Sequence, residues 1–176
     1  MIMRPGQQLL LPANPVFIAA SLVAALALNM LQNIGVWGRL VWAPDVVALL
    51  VVFWSVHQPR RVGMGVAFVL GIAMDVHQGA LLGQHAMAYS VMSFLSISIH
   101  RRLLWFSVPA QAMQVLPLFL AGHAIELVLR LVVGGRFAGV ASLLSPVVEA
   151  LLWPLVSIIL LAPQRRAPDP DDHRPL

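Results

Sequence analysis

Apolar runs dominate this sequence and constrain its fold more than any motif does. Most of them approach the roughly 20 helical residues that one bilayer crossing takes. Hydrophobic residues make up 60% of the chain and charged residues only 10%, which is far too apolar for a soluble domain. The sequence therefore predicts an all-α polytopic membrane protein, with a bundle of about six transmembrane helices in a single domain over residues 1–163. The six runs, numbered in chain order, are 15–30, 44–56, 62–74, 80–99, 109–133 and 140–162.

Arginines fall on alternate connections between these runs. By the positive-inside rule such connections face the cytoplasm, which predicts a multi-pass protein with both termini cytoplasmic. The intervening connections carry only Arg39 and Arg136. Residues 164–176 are rich in proline and charge, and we expect them to form a disordered cytoplasmic tail. The arginines that define the cytoplasmic side are Arg4, Arg60, Arg61, Arg101, Arg102, Arg165 and Arg166.

Runs two and three are too short for a full crossing. Each would rise only about 20 Å at 1.5 Å per residue, against a core of about 30 Å. Either the helices continue past their charged ends, which puts Asp75 inside a helix, or their outer ends are sunk within protein. In the second case Asp75 lies in a re-entrant turn through residues 76–79. Both alternatives bury Asp75.

Five charged side chains lie inside the apolar runs. A charge within a bilayer is costly, so it usually faces protein, water or a partner. Counting along the helices from the predicted cytoplasmic turn at Pro59 puts the first two roughly 20 Å away, and the rest fall late in run five or early in run six. All five are therefore predicted to converge on the outer half of the bundle. They are Asp45, Asp75, Glu126, Arg130 and Glu149.

The two charges of run five have a structural explanation. Glu126 and Arg130 stand at i and i+4 with the acid first, the order that favours an ion pair along a helix. Glu149 leaves several alternatives open. It pairs with Arg130 or Arg136, is protonated, or faces a partner protein.

The aspartates of runs two and three differ in how well structure accounts for them. Asp45 follows Pro44 at a helix start, where the positive end of the helix dipole explains an acid. Asp75 instead continues a row of small residues at i+4 spacing, which allows a neighbouring helix to approach closely. An acid at the end of such a row predicts a specific anchor. The row is Gly63, Ala67 and Gly71.

Several kinds of chemistry are excluded. The chain has no cysteine, which removes disulfides, thiolate catalysis and Cys-based metal sites. Asp75 and His77 point to different faces of a helix, so together with His85 they predict no metal site. Neither a Gly-x-Ser-x-Gly motif nor a phosphate loop occurs, and Asp45 and Asp75 lack the Gly-Asp signature of intramembrane aspartyl proteases. We therefore expect no enzyme, no cofactor and no nucleic-acid partner.

The stretch from residue 44 to 95 carries a pattern of its own. A Pro-Asp pair opens an apolar helix with a tryptophan near its end, a proline sits in the short basic turn, and a Gly-x-x-x-Asp segment is followed by Gly-x-x-x-Gly. This pattern resembles the bacterial rod shape-determining protein MreD family. The residues are Pro44, Asp45, Trp54, Pro59, Gly71, Asp75, Gly79 and Gly83.

The resemblance implies a non-enzymatic subunit of the cell-wall elongation machinery in the bacterial cytoplasmic (inner) membrane. Its partners would be MreC, the filament protein MreB, and the peptidoglycan synthase formed by RodA and its penicillin-binding transpeptidase. It also implies a fold similar to the six-helix S component of energy-coupling-factor vitamin transporters. No catalytic residues carry over. Gly71, Asp75, Gly79 and Gly83 match the motif as packing and turn elements that support a partner-binding surface.

Two other functions remain open. One is a small-molecule-binding transporter subunit of the S-component type, whose outward-facing pocket the same acids would line. A surface of small side chains on the first helix would favour it, and Ala20, Ala24 and Ala27 provide a weak version. The other is a membrane scaffold unrelated to the cell wall, which only the motif stretch separates from the first interpretation.

Overall fold

The computed structural model describes residues 13–34, 42–135 and 139–164, and all regular structure within these ranges is helical. Six α-helices follow one another, which confirms the predicted helix number. Two short 3₁₀ helices, Val140–Leu144 and Ala162–Gln164, flank the last of them. The six are α1 (Pro15–Ile34), α2 (Val46–His57), α3 (Met64–Gln78), α4 (Gln84–Leu103), α5 (Val108–Val132) and α6 (Ser145–Leu161).

Three helical stretches are long and apolar enough to cross a bilayer, and the chain is a membrane protein. They are Pro15–Ile34, Val108–Val132 and Val140–Gln164. The helix α4 has the same length as α1 but is more polar. The helices α2 and α3 have only 12 and 15 residues, or about 18 and 22 Å, as their short apolar runs predicted.

The structure confirms the first of the two alternatives for Asp75, in which the helix continues past its charged end. The helix α3 continues to Gln78, so Asp75 lies in its last turn. Gly79 ends the helix with φ +60°, a left-handed conformation that glycine adopts without a steric penalty. The next helix begins only at Gln84, not at residue 80, because residues 79–83 form the turn between α3 and α4.

The helix α2 is the centre of the bundle. Every residue from Val47 to Val56 is buried, as expected of a helix that is apolar on all sides. It packs against α1, α4 and α6, while α4 also contacts α3 and α5, and α5 contacts α6. Most of the other core residues come from these neighbours.

The two ends of the bundle differ in chemistry. At one, here called the polar end, α1, α3 and α5 finish and α2, α4 and α6 begin. The opposite end carries the turns at residues 58–63 and 104–107, and the four arginines that the structure describes there are exposed. Five other arginines used to predict topology, together with residues 165–176 of the predicted tail, lie outside the described residues. The exposed arginines are Arg60, Arg61, Arg101 and Arg102.

Candidate functional site

Asp75 closes the beginning of α4. Its Oδ1 accepts the backbone N–H of His85 at 2.8 Å, and its Oδ2 accepts that of Gly83 at 2.8 Å. The ring atom His85 Nδ1 lies 2.7 Å from Oδ1. The first N–H groups of a helix have no partner within the helix, and an N-cap side chain usually accepts from one of them. The N-cap of α4 is Gly83, which has no side chain, so Asp75 supplies the cap from the preceding helix.

Gly71 brings the two helices together one turn before Asp75. A Cβ at this position would lie 2.3 Å from the Cα of Ala86 and 2.4 Å from its backbone nitrogen. Real Cβ atoms essentially never come so close to a neighbour, and these neighbours are backbone atoms that cannot rotate away. Ala67, a turn earlier, is fully buried. The absence of a side chain at Gly71 is therefore what lets Asp75 reach the first turn of α4.

Asp45 caps α2 and ties it to two other helices. Its Oδ1 accepts the N–H of Ala48 at 3.0 Å and the side-chain amide of Asn29 from α1 at 2.6 Å. The oxygen of Asn29 in turn accepts the N–H of Val46 at 3.1 Å. The Tyr89 hydroxyl of α4 donates to the other carboxylate oxygen of Asp45. The helix-start explanation of Asp45 therefore holds, but it covers only one of these contacts.

Glu149 joins the last helix to this site. Its Oε1 accepts the backbone N–H of Asp45 at 2.9 Å and lies 2.9 Å from His123 Nε2 on α5. The residue is fully buried, and its other oxygen, Oε2, has no hydrogen-bond partner among the described residues. Of the alternatives predicted for Glu149, pairing with Arg130 is wrong, since His123 takes that place. Arg136 lies outside the described residues.

The predicted ion pair between Glu126 and Arg130 is also wrong. Within the described ranges Arg130 makes no ion pair at 4.0 Å or less, and Glu126 Oε2 lies 3.8 Å from His123 Nδ1. His123 stands at i−3 from Glu126 and faces Glu149, which draws the acid toward the bundle interior. Arg130 instead packs against the chain at the end of α5, where a Cβ on Gly135 would lie 2.6 Å from its Cγ.

Each of the six helices, or its cap, contributes to one set of contacts, which we call the polar network. Four of the five predicted charges belong to it, and Arg130 lies outside it. The rings of His85 and Tyr89, 5.9 Å apart, link its Asp75 side to its Asp45 side. The polar network consists of Asn29, Asp45, Asp75, His85, Tyr89, His123, Glu126 and Glu149.

Sequence reasoning missed three members of this network because they are uncharged or were counted as neutral. Asn29 and His123 each lie within an apolar run, which is the signal that could have found them. Tyr89 is the only tyrosine of the chain and has no comparable signal. Among the described residues no three acidic or histidine side chains converge as a metal site.

The sequence of the chain matches a known family. Residues 12–164 match the family described as rod shape-determining protein MreD, a range that includes all six helices. The chain belongs to the MreD family. The resemblance found in residues 44–95 is thereby confirmed, and membership implies a role in determining rod shape.

One curated relative supports the same family. The rod shape-determining protein MreD of Haemophilus influenzae is 27% identical over 127 residues, which cover 70% of this chain and 76% of the relative. No solved structure matches the chain. The MreD assignment therefore comes from sequence, and the polar network lies within the part of the chain that carries it.

Proposed function

We propose that this protein is a non-enzymatic subunit of the cell-wall elongation complex in the bacterial inner membrane. In this role it links MreC, MreB and the peptidoglycan synthase formed by RodA and its transpeptidase. Membership of the MreD family supports the proposal. The S-component type of fold stays a prediction, supported by the number of helices.

The contacts of the polar network favour a structural role for its two aspartates. Both carboxylate oxygens of Asp45 and of Asp75 accept hydrogen bonds from protein donors, mainly backbone N–H groups at helix starts. A carboxylate that is fully used in this way holds helices together and has little capacity left to activate a substrate. We therefore assign the network to a stiff bundle that presents its surface to partner proteins.

The motif glycines fit this assignment in two ways. Gly71 and Asp75 pack α3 on α4, and Gly79 and Gly83 form the turn with φ values of +60° and +100°. Nothing lies within 4 Å of a Cβ built at either turn glycine, so this turn has open space around it. We propose that the turn and the neighbouring ends of the helices form the surface that MreC contacts.

The proposed function is tested by depleting the protein in its native rod-shaped host. Loss of the protein should turn rods into round cells, and a tagged copy of this chain should restore the shape and co-purify MreC from gentle detergent. Rods that persist after depletion would contradict the role in shape. A tagged copy that restores shape without retaining MreC would contradict the proposed contact while leaving family membership untouched.

Orientation is part of the proposal, and the absence of cysteine makes it easy to test. The exposed arginines at the opposite end support a cytoplasmic location of that end, which puts the polar network in the periplasmic half. In intact cells, Leu82→Cys in the exposed α3–α4 turn should react with a membrane-impermeant maleimide, and Arg61→Cys should react only after the cells are opened. The reverse pattern would overturn the orientation.

The alternative function, a small-molecule-binding subunit of the S-component type, rests on one observation. A cavity of about 440 Å³ opens at the polar end, next to Arg130. The cell-wall role is preferred because the network acids contact one another's helices and do not line this cavity. A vitamin found bound to the purified protein would favour the alternative.

A further inference from the structure

The cavity at the polar end lies between the α3–α4 turn and the end of α5. Its volume is about 440 Å³. Among the described residues that line it, Arg130 is the only charged one, and the other polar side chains are two glutamines. The lining residues are Gln78, Ala80, Leu81, Gln84, Arg130, Val133, Gly134 and Gly135.

One of these glutamines is buried without a partner. Gln84 is 2% exposed, and its amide nitrogen makes no hydrogen bond within the described part of the chain. Buried polar groups are nearly always paired, because leaving a donor unsatisfied is costly. Gln84 is part of the cavity wall, and a turn of its amide would present this donor to the cavity, where a ligand with hydrogen-bond acceptors would pair it.

The end of α5 holds Arg130 in place. Gly134 has φ +83°, and the N–H of Gly135 then donates to the carbonyl of Arg130 at 2.9 Å. The chain thereby turns back over the stem of the arginine, where a Cβ on Gly135 would lie 2.6 Å from Arg130 Cγ. This glycine pair restricts the side chain without using the donors of its guanidinium.

The acids in the last turns of α3 and α5 are engaged elsewhere. Asp75 accepts from the start of α4, and Glu126, one turn before Arg130, lies beside His123. The guanidinium offers several donors in one plane, a geometry that suits phosphate oxygens, and the glutamine amides add further donors. Positive charge together with neutral donors, and with no acid among the described lining residues, selects an anion.

We propose that this cavity binds a phosphate group, and its position favours the headgroup of a membrane phospholipid over free phosphate. The cavity lies where α3 and α5 end, which is the depth at which a spanning helix meets lipid headgroups. Val133 is 60% exposed at its rim and Leu81 42%, so apolar surface is present beside the polar wall for an acyl chain. The proposal depends on the membrane setting and not on the cell-wall role.

Lipid binding by the full-length protein in non-ionic detergent tests the proposal. Native mass spectrometry should detect phosphatidylglycerol bound to the wild type and no comparable binding of diacylglycerol, which has the same chains without phosphate. Arg130→Ala should weaken phosphatidylglycerol binding by about tenfold, since a charge-assisted contact is lost. The matched control is Arg101→Ala, an exposed arginine at the opposite end, which should bind as the wild type does.

A second variant guards against loss of folding. Gln84→Leu replaces an unpaired buried amide by an apolar group of similar size, so it should fold at least as well as the wild type while binding phosphatidylglycerol severalfold more weakly. Inorganic phosphate at millimolar concentration distinguishes the sources. If inorganic phosphate does not displace phosphatidylglycerol, the cavity binds a lipid headgroup. If it displaces the lipid fully, the cavity binds free phosphate from solution. Equal binding of diacylglycerol, or equal affinities for Arg130→Ala and Arg101→Ala, would overturn the proposal.

Discussion

Gly71→Ala is expected to lower the free energy of unfolding by roughly 3 kcal/mol, at the upper end of the usual cost of overpacking. The new Cβ would lie 2.3 Å from the Cα of Ala86 and 2.7 Å from the carbonyl carbon of His85. Because these are backbone atoms, the strain can be relieved only by moving α3 away from α4. Thermal denaturation of the detergent-purified protein measures the loss as a lower midpoint.

The same helix provides the control. Gly65 also lies in α3, but a Cβ there would have no atom within 4 Å. Alanine has a higher helix propensity than glycine by about 1 kcal/mol, so Gly65→Ala should leave the midpoint unchanged or raise it slightly. Equal midpoints for the two variants would contradict the close packing at Gly71. In the depleted host, Gly65→Ala should restore rod shape and Gly71→Ala should not.

Helix number and length could be read from the sequence because they depend on local composition. Six apolar runs predicted six helices, and the shortness of runs two and three carried over to α2 and α3. The end of α3 was harder to locate. Residues 75–78 are helical although they are more polar than the rest of the helix, and only the left-handed Gly79 ends it.

The partners of the charged side chains could not be predicted from local spacing. The i, i+4 spacing of Glu126 and Arg130 places both on one face of a helix, but it does not say which neighbouring side chain competes for the acid. His123 competes because it is held by Glu149 of another helix, a contact between residues 26 positions apart. The contact between Asp45 and Glu149 spans 104 positions. Such pairs follow from the packing of the whole bundle and have no signature in a single sequence.

The Gly71 and Asp75 spacing is different because one surface of α3 carries both residues. A small residue and an acid one turn apart predict a close approach and an anchor on the same neighbour. In the structure that neighbour is α4, with Gly71 against Ala86 and Asp75 at the helix start. What the sequence could not indicate is that the anchor binds backbone N–H groups, since that requires a helix to begin beside it.

Asp75→Ala should be the most destabilising single change within the polar network. It leaves the buried N–H group and the ring of His85 without their acceptor, and each buried unsatisfied group costs about 1–3 kcal/mol. The part-buried N–H of Gly83 loses its acceptor as well. We expect a total loss of about 3–5 kcal/mol, the range found when one partner of a buried charged contact is removed. Asp75→Asn keeps one carbonyl acceptor, so it should insert and fold with a smaller loss but weaken assembly with MreC.

The measurement combines thermal denaturation, which reports the stability of the whole bundle, with amide hydrogen exchange, which reports the opening of individual N–H groups. If Asp75 caps α4, exchange in Asp75→Ala should rise first at Gly83, His85 and Ala86, whose N–H groups it accepts. Glu126→Gln is the control, since that acid has a histidine 3.8 Å away as its nearest charged partner and caps no helix. Similar midpoints for the two variants, or exchange that rises evenly along α4, would mean that close packing at Gly71 holds α3 and α4 together without the carboxylate.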